Sequence, residues 1–256
     1  MKLGLLAMSG IRAQNPELME LGLTLPGFVE RKKVVASLPS LGLLTLAGMT
    51  PDDVELEYLD VPELEAAADV PGRFDAVAIS SFTARIKVAY ELADRCRAAG
   101  TKVLLGGLHV TAMPGEARRH ADAVVLGEAE PVWPRVLEDL RRNRLEPVYD
   151  ARDGRFDLAD APMPRFESLD LERYNRITVQ TQRGCPFRCE FCASSIRISP
   201  LYKLKPVAKV MAEIRRIREL WPRSFIEFAD DNSFVNKKHS KVLLRELAKQ
   251  IGRAHV

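Results

Sequence analysis

The sequence is poor in several features that would assign it to a broad class of proteins. It contains only four cysteines and four histidines among 256 residues, and its 38 basic side chains nearly balance 35 acidic ones. This charge balance does not favour a nucleic-acid partner. No apolar run approaches the roughly 20 residues that span a bilayer, so we expect no association with a membrane. The absence of paired cysteines favours a reducing cytoplasm.

Three of the four cysteines are nevertheless clustered. Cys185, Cys189 and Cys192 follow an apolar stretch at residues 177–181 that predicts a strand. Three thiolates on one short loop can bind a single inorganic centre, but they are too few to saturate a four-iron cluster. One iron would remain open to a substrate or cofactor, as the open position of a catalytic zinc does.

Other interpretations of these cysteines fit less well. A zinc site usually has four ligands, and the nearest downstream histidine, His239, lies on a helix-like stretch. An odd number of cysteines does not form a disulfide framework. Buried core cysteines would not cluster in a polar loop beside Arg183 and Gly184. The fourth cysteine, Cys96, lies on an amphipathic helix pattern and is predicted to be a small core residue.

The first part of the chain alternates between strand and helix patterns. This alternation predicts an α/β fold with a Rossmann-like, doubly wound parallel sheet of five strands. We expect helices at residues 41–47, 86–99 and 131–142. The predicted strands are residues 2–8, 54–59, 75–80, 102–105 and 123–126.

The organisation of the chain changes after this series. We predict a first domain at residues 1–142 and a proline-rich linker with at most short strands at residues 143–175. A second alternation follows at residues 176–256, which we expect to be the first part of a (βα) barrel. Its predicted strands are 177–182 and 225–229, and its predicted helices are 206–220 and 238–251.

Small and polar residues follow the strands of the predicted sheet. Ligands of such sheets bind at the carboxyl ends of the strands. No G-x-G-x-x-G is present, which disfavours a dinucleotide. Two alternatives remain open for this half: it binds some other nucleotide, or it only packs against the rest of the protein. The residues at these ends, which we take as candidates for cofactor binding, are Ser80, Ser81, Thr83, Gly106, Gly107, His109, Thr111, Gly127 and Glu128.

The cysteine spacing, with Phe191 before the last cysteine, resembles the signature of radical S-adenosylmethionine enzymes. The resemblance implies a [4Fe-4S] cluster whose free iron chelates S-adenosylmethionine, which is then cleaved to a 5′-deoxyadenosyl radical. It also implies that Phe191 lies against the adenine, with loop packing as the alternative. Asp230 and Asp231 follow the next strand and would help to hold the amino group of S-adenosylmethionine. A helix N-cap role for Asp231 or Asn232 competes with this.

Residues 101–130, TKVLLGGLHVTAMPGEARRHADAVVLGEAE, resemble the cobalamin-binding domain that precedes the barrel in one group of these enzymes. Residues 38–48 and 74–83 also resemble that group. The resemblance implies cobalamin as a third cofactor, with glycines close to its nucleotide tail and hydroxyls bonding its amides and phosphate. No Asp-x-His-x-x-Gly follows the first strand, and residues 9–28 contain no histidine. We therefore expect no histidine from this chain on the lower face of cobalt, and His109 is not assigned as a cobalt ligand.

The resemblance implies a cobalamin-dependent enzyme that transfers a methyl group to an unactivated carbon of a small molecule or peptide. An external electron donor such as flavodoxin or ferredoxin would be its partner. Ring closure or rearrangement, and a non-catalytic cobalamin-binding module, are the alternatives. The catalytic residues and the substrate are not readable from the sequence. Two strand–helix units follow residue 176, whereas the barrel of that group has about six. We therefore expect a barrel that is truncated in this chain.

Overall fold

A six-stranded parallel sheet forms the centre of the molecule. The computed structural model describes residues 1–8, 38–171, 174, 176–187, 189–192, 201–222 and 224–250. Within these residues the strand order is β2-β1-β3-β4-β5-β6, and every pair is parallel. The strands are β1 (Lys2–Ala7), β2 (Glu55–Asp60), β3 (Ala76–Ser80), β4 (Lys102–Gly106), β5 (Ala123–Gly127) and β6 (Val148–Ala151).

Both faces of this sheet are covered, which explains why its strands are almost continuously apolar. Side chains alternate between two cores, since successive residues of a strand point to opposite faces. Leu104 and Val125 belong to one core, whereas Leu105 and Val124 belong to the other. The helices of the first half are α1 (Leu41–Met49), α2 (Ile86–Ala98), α3 (Leu108–Ala112), α4 (Pro114–Ala117) and α5 (Trp133–Arg141), with 3-10 turns at Leu64–Ala67, Thr83–Arg85 and Phe166–Ser168.

The predicted doubly wound sheet is confirmed, but it has six described strands and not five. The additional strand, β6, pairs with β5 and lies inside the segment predicted to be a linker. Its four residues are too few to show a clear period of two. The chain beyond β6 packs on the first half as well: the Arg165 amide donates to the Leu44 carbonyl at 3.0 Å, and Phe166 is buried.

The second half begins a separate sheet. Strand β7 (Ile177–Val179) pairs in parallel with β10 (Ile226–Phe228), and β8 (Gln182–Arg183) pairs antiparallel with β9 (Lys203–Leu204). The predicted strand at 177–182 is therefore divided into β7 and β8. Helices α6 (Val207–Leu220) and α7 (Lys237–Gln250) follow the predicted positions. Ile177 and Val179, with Ile214 of α6, belong to the same apolar core as Leu104.

Candidate cofactor site

A cavity of about 590 Å³ opens at the carboxyl edge of the six-stranded sheet. The ends of β1, β3, β4 and β5 form one wall, and the first turns of α1 form another. Ser40 caps that helix by accepting a hydrogen bond from the Leu43 amide at 3.5 Å, which fixes the helix start at the cavity. Phe82 lies at the cavity with 65% of its surface exposed. The site therefore lies where parallel sheets of this kind bind ligands.

Six of the nine candidate residues of the first half line this cavity, whereas three do not. Thr83 and His109 make contacts away from it, and Thr111 is buried beneath the end of β5, where its hydroxyl accepts a hydrogen bond from the Gly127 amide at 2.9 Å. The lining candidates are Ser80, Ser81, Gly106, Gly107, Gly127 and Glu128.

Two of the glycines in this wall have conformations that other residues rarely adopt. Gly107 has φ +101°, and a Cβ there would lie 3.4 Å from both the Ser80 hydroxyl and the Ser81 carbonyl. Gly127 has φ +79°, and its added Cβ would lie 2.6 Å from the Ala151 carbonyl oxygen. Glycine adopts such φ values at little cost. These residues therefore let the chain turn sharply at the cavity wall while leaving the space in front of it open.

His109 faces a polar cluster on the outside of the sheet edge. Its Nδ1 lies 3.1 Å from the Thr83 hydroxyl, and its Nε2 lies 3.4 Å from the Glu116 carboxylate. Partial burial acts to raise the pKa of Glu116, but the hydrogen bonds from His109 and Tyr90, together with the nearby charges of His109 and Arg119, outweigh it and hold that pKa below its usual value. His109 has local partners and does not line the cavity. That it is not a cobalt ligand stays a prediction.

The second half supplies the remaining wall of the cavity. Residues in or directly after β7, β8, β9 and β10 face the sheet edge across this space: Thr178, Gln180, Arg183, Lys205 and Ala229. The cavity is therefore shared between the six-stranded sheet and the start of the second sheet.

We name residues 180–187 and 189–192 the cysteine arm, because they carry all three clustered thiols. Asp230 fixes its beginning: the carboxylate accepts hydrogen bonds from the Thr181 amide at 2.7 Å, the Thr181 hydroxyl at 2.6 Å and the Gln182 amide at 3.1 Å. Asp231 accepts the Gly184 amide at 3.0 Å. Both aspartates therefore hold the residues that immediately precede Cys185.

The competing N-cap interpretation of Asp231 and Asn232 is wrong. Helix α7 begins at Lys237, and the residue before it, Asn236, accepts the His239 amide on its side-chain oxygen at 3.0 Å. His239 itself lies 2.9 Å from the Lys205 carbonyl oxygen through Nε2, so its ring has a local partner.

The three thiols of the arm are accessible to different extents. Cys185 and Cys192 are half-buried and Cys189 is exposed, and none of the four cysteines forms a disulfide. The Cys192 amide donates to the Cys189 carbonyl at 3.0 Å, which closes a turn between these two thiols. Across the described residues, no three His, Cys, Asp or Glu side chains are arranged around a single metal ion. A cubane cluster does not require that arrangement, because each thiolate binds a different iron.

Two further sequence predictions concern isolated side chains. Phe191 is 92% exposed, so the described part of the chain offers it no loop packing. Cys96 is buried in α2, and burial raises the pKa of its thiol to about 11. Cys96 is therefore a core residue, as predicted, and lies apart from the arm.

A buried group of four charges connects the arm to the sheet. Arg183 donates to Glu128 at 3.1 Å and to Glu130 at 2.7 Å, and Lys203 of β9 contacts the same oxygen of Glu128. The side chain of Glu128 is 0% exposed and that of Arg183 is 16% exposed. Burial acts to lower the pKa of Arg183, but the two carboxylates outweigh it and raise that pKa. We name these four residues the charge bridge.

Sequence reasoning did not assign a role to several residues of the site. Glu130 is the last residue of the stretch at 101–130 that resembles a cobalamin-binding domain, and Arg183 is a polar neighbour of the cysteines, but neither position by itself indicates an ion pair. Lys203 and Lys205 carried no recognisable signal. Their partners are distant in sequence: Lys203 meets Glu128, 75 positions away.

Comparison with known proteins begins with the first half. Residues 31–137 match the B12 binding domain family. The matched range contains strands β2 to β5 and the two glycines of the cavity wall, Gly107 and Gly127. No helix within the described ranges is both long and apolar enough to cross a membrane.

Relatives match most of the chain. An uncharacterized methyltransferase of Synechocystis sp. is 32% identical over 82% of this chain and 39% of its own length. The bacteriochlorophyllide d C-8(2)-methyltransferase of Chlorobaculum tepidum is 30% identical over 78% of this chain and 46% of its own length. The chain thus spans less than half the length of either relative.

The fold has solved counterparts. The radical S-adenosylmethionine methyltransferase TsrM from Kitasatospora setae, solved with cobalamin and a [4Fe-4S] cluster, superposes with a TM-score of 0.68 at 15% identity, over 97% of this chain and 52% of that one. The resemblance predicted from the sequence is confirmed: residues 31–137 match the B12 binding domain family, the chain is similar to proteins named methyltransferases, and its fold is shared with about half of a radical S-adenosylmethionine methyltransferase.

Proposed function

We propose that this chain is the cofactor-binding part of a cobalamin-dependent radical S-adenosylmethionine enzyme that transfers a methyl group to an unactivated carbon. One observation carries the proposal. A single cavity lies between the glycine-lined edge of a B12-binding domain and an arm with three free cysteines. The names of the relatives and of the fold counterpart support methyl transfer as the reaction.

The cavity has properties that suit a large flat cofactor. Its volume of about 590 Å³ falls within the range of small-molecule sites and would take part of a corrin. Its wall is mostly apolar, with Leu41, Leu104 and Val125, and the exposed ring of Phe82 lies beside it. Ser80 and Ser81 place hydroxyl groups at the sheet edge, where they could bond amide side chains of a cofactor.

The cysteine arm has properties that suit a site-open cluster. It offers three thiols and no fourth thiol among its described residues. Asp230 and Asp231 accept backbone amides on both sides of Arg183, so the approach to Cys185 is fixed before any cluster binds. The exposed ring of Phe191 is available to pack against an adenine. The predicted contacts of Asp230 and Asp231 with S-adenosylmethionine are compatible with these bonds, because a carboxylate oxygen accepts more than one hydrogen bond.

When bound together, the three cofactors would supply radical chemistry and a transferable methyl group. The protein's own contribution is to orient the groups and to exclude water. The arm forms one wall of the cavity and the sheet edge forms the other, so groups bound to the two face each other. The substrate, a small molecule or a peptide, and an external electron donor such as flavodoxin or ferredoxin remain part of the proposal. A cytoplasmic location is also proposed, because all four cysteines are free thiols.

A substitution at Gly42 tests cobalamin binding. Gly42 lines the cavity in α1, and an added Cβ would meet nothing within 4 Å. A bulky side chain there should fill the cavity without straining the fold. We expect Gly42→Trp to weaken hydroxocobalamin binding at least about tenfold, equivalent to about 1.4 kcal/mol. Binding is measured by equilibrium dialysis with cobalt analysis, alongside the thermal unfolding midpoint.

Gly115→Trp is the matched control. Gly115 is also a helical glycine with open space around an added Cβ, but it does not line the cavity. This variant should bind hydroxocobalamin as the wild type does. Equal binding by both variants and the wild type would place the cofactor elsewhere.

Iron analysis after anaerobic reconstitution tests the cluster. The wild type should bind about four iron atoms per chain, and Cys185→Ala should lose most of them. Cys96→Ala should retain them, because that thiol is buried in α2. A wild-type chain without iron or sulfide, or unchanged iron content in Cys185→Ala, would contradict the proposal.

A further inference from the structure

The charge bridge joins two places that the proposed function assigns to different cofactors. Glu128 directly follows β5, and Glu130 lies two residues further along the chain. Arg183 lies in β8 and Lys203 in β9, the strand pair that carries the cysteine arm. Arg183 spans the two carboxylates with its two terminal nitrogens, at 3.1 and 2.7 Å. A rigid guanidinium that is bonded twice fixes position as well as charge.

Lys203 connects a third segment, the chain that follows β6, to the charge bridge. Besides Glu128, its ammonium donates to the carbonyl oxygens of Gly154 at 3.0 Å and Phe156 at 2.9 Å. Its side chain is 13% exposed. The chain that follows β6, the end of β5 and the base of the arm therefore meet at one buried ammonium.

The bridge reaches both sites within a few residues. Glu128, Glu130 and Arg183 line the cavity. Arg183 is separated from Cys185 by a single residue, Gly184, whose amide is held by Asp231. The guanidinium and the first cysteine are therefore joined by a short segment whose amide is already held by Asp231.

Filling the cavity would change the strength of these ion pairs. Water in the cavity screens charges that line it, and a ligand that displaces this water lowers the local dielectric constant. Paired charges attract more strongly in the drier environment, provided that each keeps its partners. A cavity ligand would therefore favour the arm position in which these ion pairs are formed over any position in which they are broken, which is the condition for coupling two sites.

From this geometry we infer that Arg183 is a positioning residue that couples corrin binding in the cavity to cluster binding on the arm. Occupation of either site favours the ordered arm and so raises affinity at the other. Thermodynamic linkage requires the same factor in both directions. The inference rests on the proposed function, since it needs both cofactors to bind.

The test measures hydroxocobalamin affinity in two states of the chain. Equilibrium dialysis under anaerobic conditions gives the dissociation constant before and after reconstitution of the cluster. We expect binding to the reconstituted wild type to be at least about fivefold tighter, the lower end of typical coupling. Arg183→Met, which keeps the unbranched apolar part of the side chain without the charge, should bring this ratio close to one, whatever its affinity for each cofactor alone.

A matched control uses another ion pair that joins the two halves. Arg216 of α6 donates to Glu167 at the surface, and neither residue lines the cavity. Arg216→Met should therefore keep the wild-type ratio. A ratio that falls equally in both variants would overturn the inference, because general loosening of the two halves would then explain it.

Hydrogen exchange gives a readout that needs no variant, should Arg183→Met fail to fold. In the wild type without a cluster, hydroxocobalamin should slow exchange of the Gln182 and Gly184 amides, which are bonded to Asp230 and Asp231. Unchanged exchange, or a wild-type affinity ratio near one while both cofactors bind, would overturn the coupling and leave the proposed function standing. Failure of the wild type to bind hydroxocobalamin or iron would overturn both.

Discussion

The six-stranded sheet and the cysteine arm meet at one cavity, but different forces hold them. Apolar side chains cover both faces of the sheet, and those of its four central strands, β1, β3, β4 and β5, are nearly all buried. The arm is fixed mainly by carboxylates that accept backbone and side-chain donors, at Asp230, Asp231, Glu128 and Glu130. Beside it, all three residues of β10 are only half-buried.

This difference predicts that the sheet is the more rigid of the two regions and that the arm is the more adjustable one. Apolar burial is non-directional and insensitive to the exact position of each group. Buried polar contacts stabilise only when every partner is in place, and they become costly when one is missing. The stability of the sheet should therefore depend little on any single polar contact, whereas the region around the arm should respond strongly to the loss of one charge. Three substitutions examine this contrast.

The largest effect is expected at a buried ion pair beside the arm. Lys205 follows β9 and contacts Glu213 of α6, and both side chains are at most 5% exposed. Glu213→Leu would leave the Lys205 ammonium buried without its carboxylate. We expect a loss of about 3–5 kcal/mol in the free energy of unfolding, measured by denaturant titration.

The double variant Lys205→Met/Glu213→Leu is the control. Replacing both charges by apolar groups of similar size is often neutral or stabilising. The double variant should therefore recover most or all of the stability lost in Glu213→Leu. Equal destabilisation of both variants would indicate that the pair stabilises the protein through packing and not through charge. That result would contradict the proposed difference between the sheet and the region around the arm.

A smaller effect is expected at the edge of the sheet. Gly127→Ala places a Cβ 2.6 Å from the Ala151 carbonyl oxygen at a backbone with φ +79°. The conformation alone costs a residue with a side chain about 1–2 kcal/mol, and the close contact adds to it. Thermal unfolding should show a lower midpoint. Gly115→Ala, with open space around the new methyl group, should not lower it. An unchanged midpoint in Gly127→Ala would mean that β6 moves away from β5 easily.

Much of this architecture could be predicted from the sequence, because local patterns encode it. Buried parallel strands are apolar runs, and their ends carry small polar residues, so five strands and six cavity-lining positions were identified. The cysteine spacing is also local. Strand β6 was not predicted as part of the sheet because four residues, VYDA, show little periodicity and follow Pro147.

Contacts between distant segments could not be predicted in this way. Arg183 meets Glu128 and Glu130 across more than 50 positions, so no local pattern indicates the pairing. The direction of a side chain after a tight turn also cannot be predicted from a local sequence pattern. The turn at Gly107, with φ +101°, sends His109 towards Glu116 and away from the cavity, although neighbouring Leu108 lines it.

The smallest expected effect concerns β6, the strand missing from the sequence-based prediction. Asp139 of α5 accepts hydrogen bonds from the Tyr149 hydroxyl at 2.8 Å and from Arg144 at 3.0 Å. The bond from Tyr149 is the main reason that the pKa of Asp139 lies below its usual value, with burial opposing and Arg144 assisting. This carboxylate therefore ties β6 to the helix that precedes it.

Because the folded state lowers this pKa, the charge on Asp139 stabilises the protein fully above the unfolded-state pKa of about 3.9. The stabilisation is lost as the pH falls through the lower value in the folded state. We expect the difference in thermal midpoint between the wild type and Asp139→Asn to be constant above about pH 5 and to shrink towards pH 3. Tyr149→Phe should weaken this pH dependence, since it removes the main donor. Parallel curves for the wild type and Asp139→Asn from pH 6 to pH 3 would show that the charge of Asp139 does not help to hold β6 in the sheet.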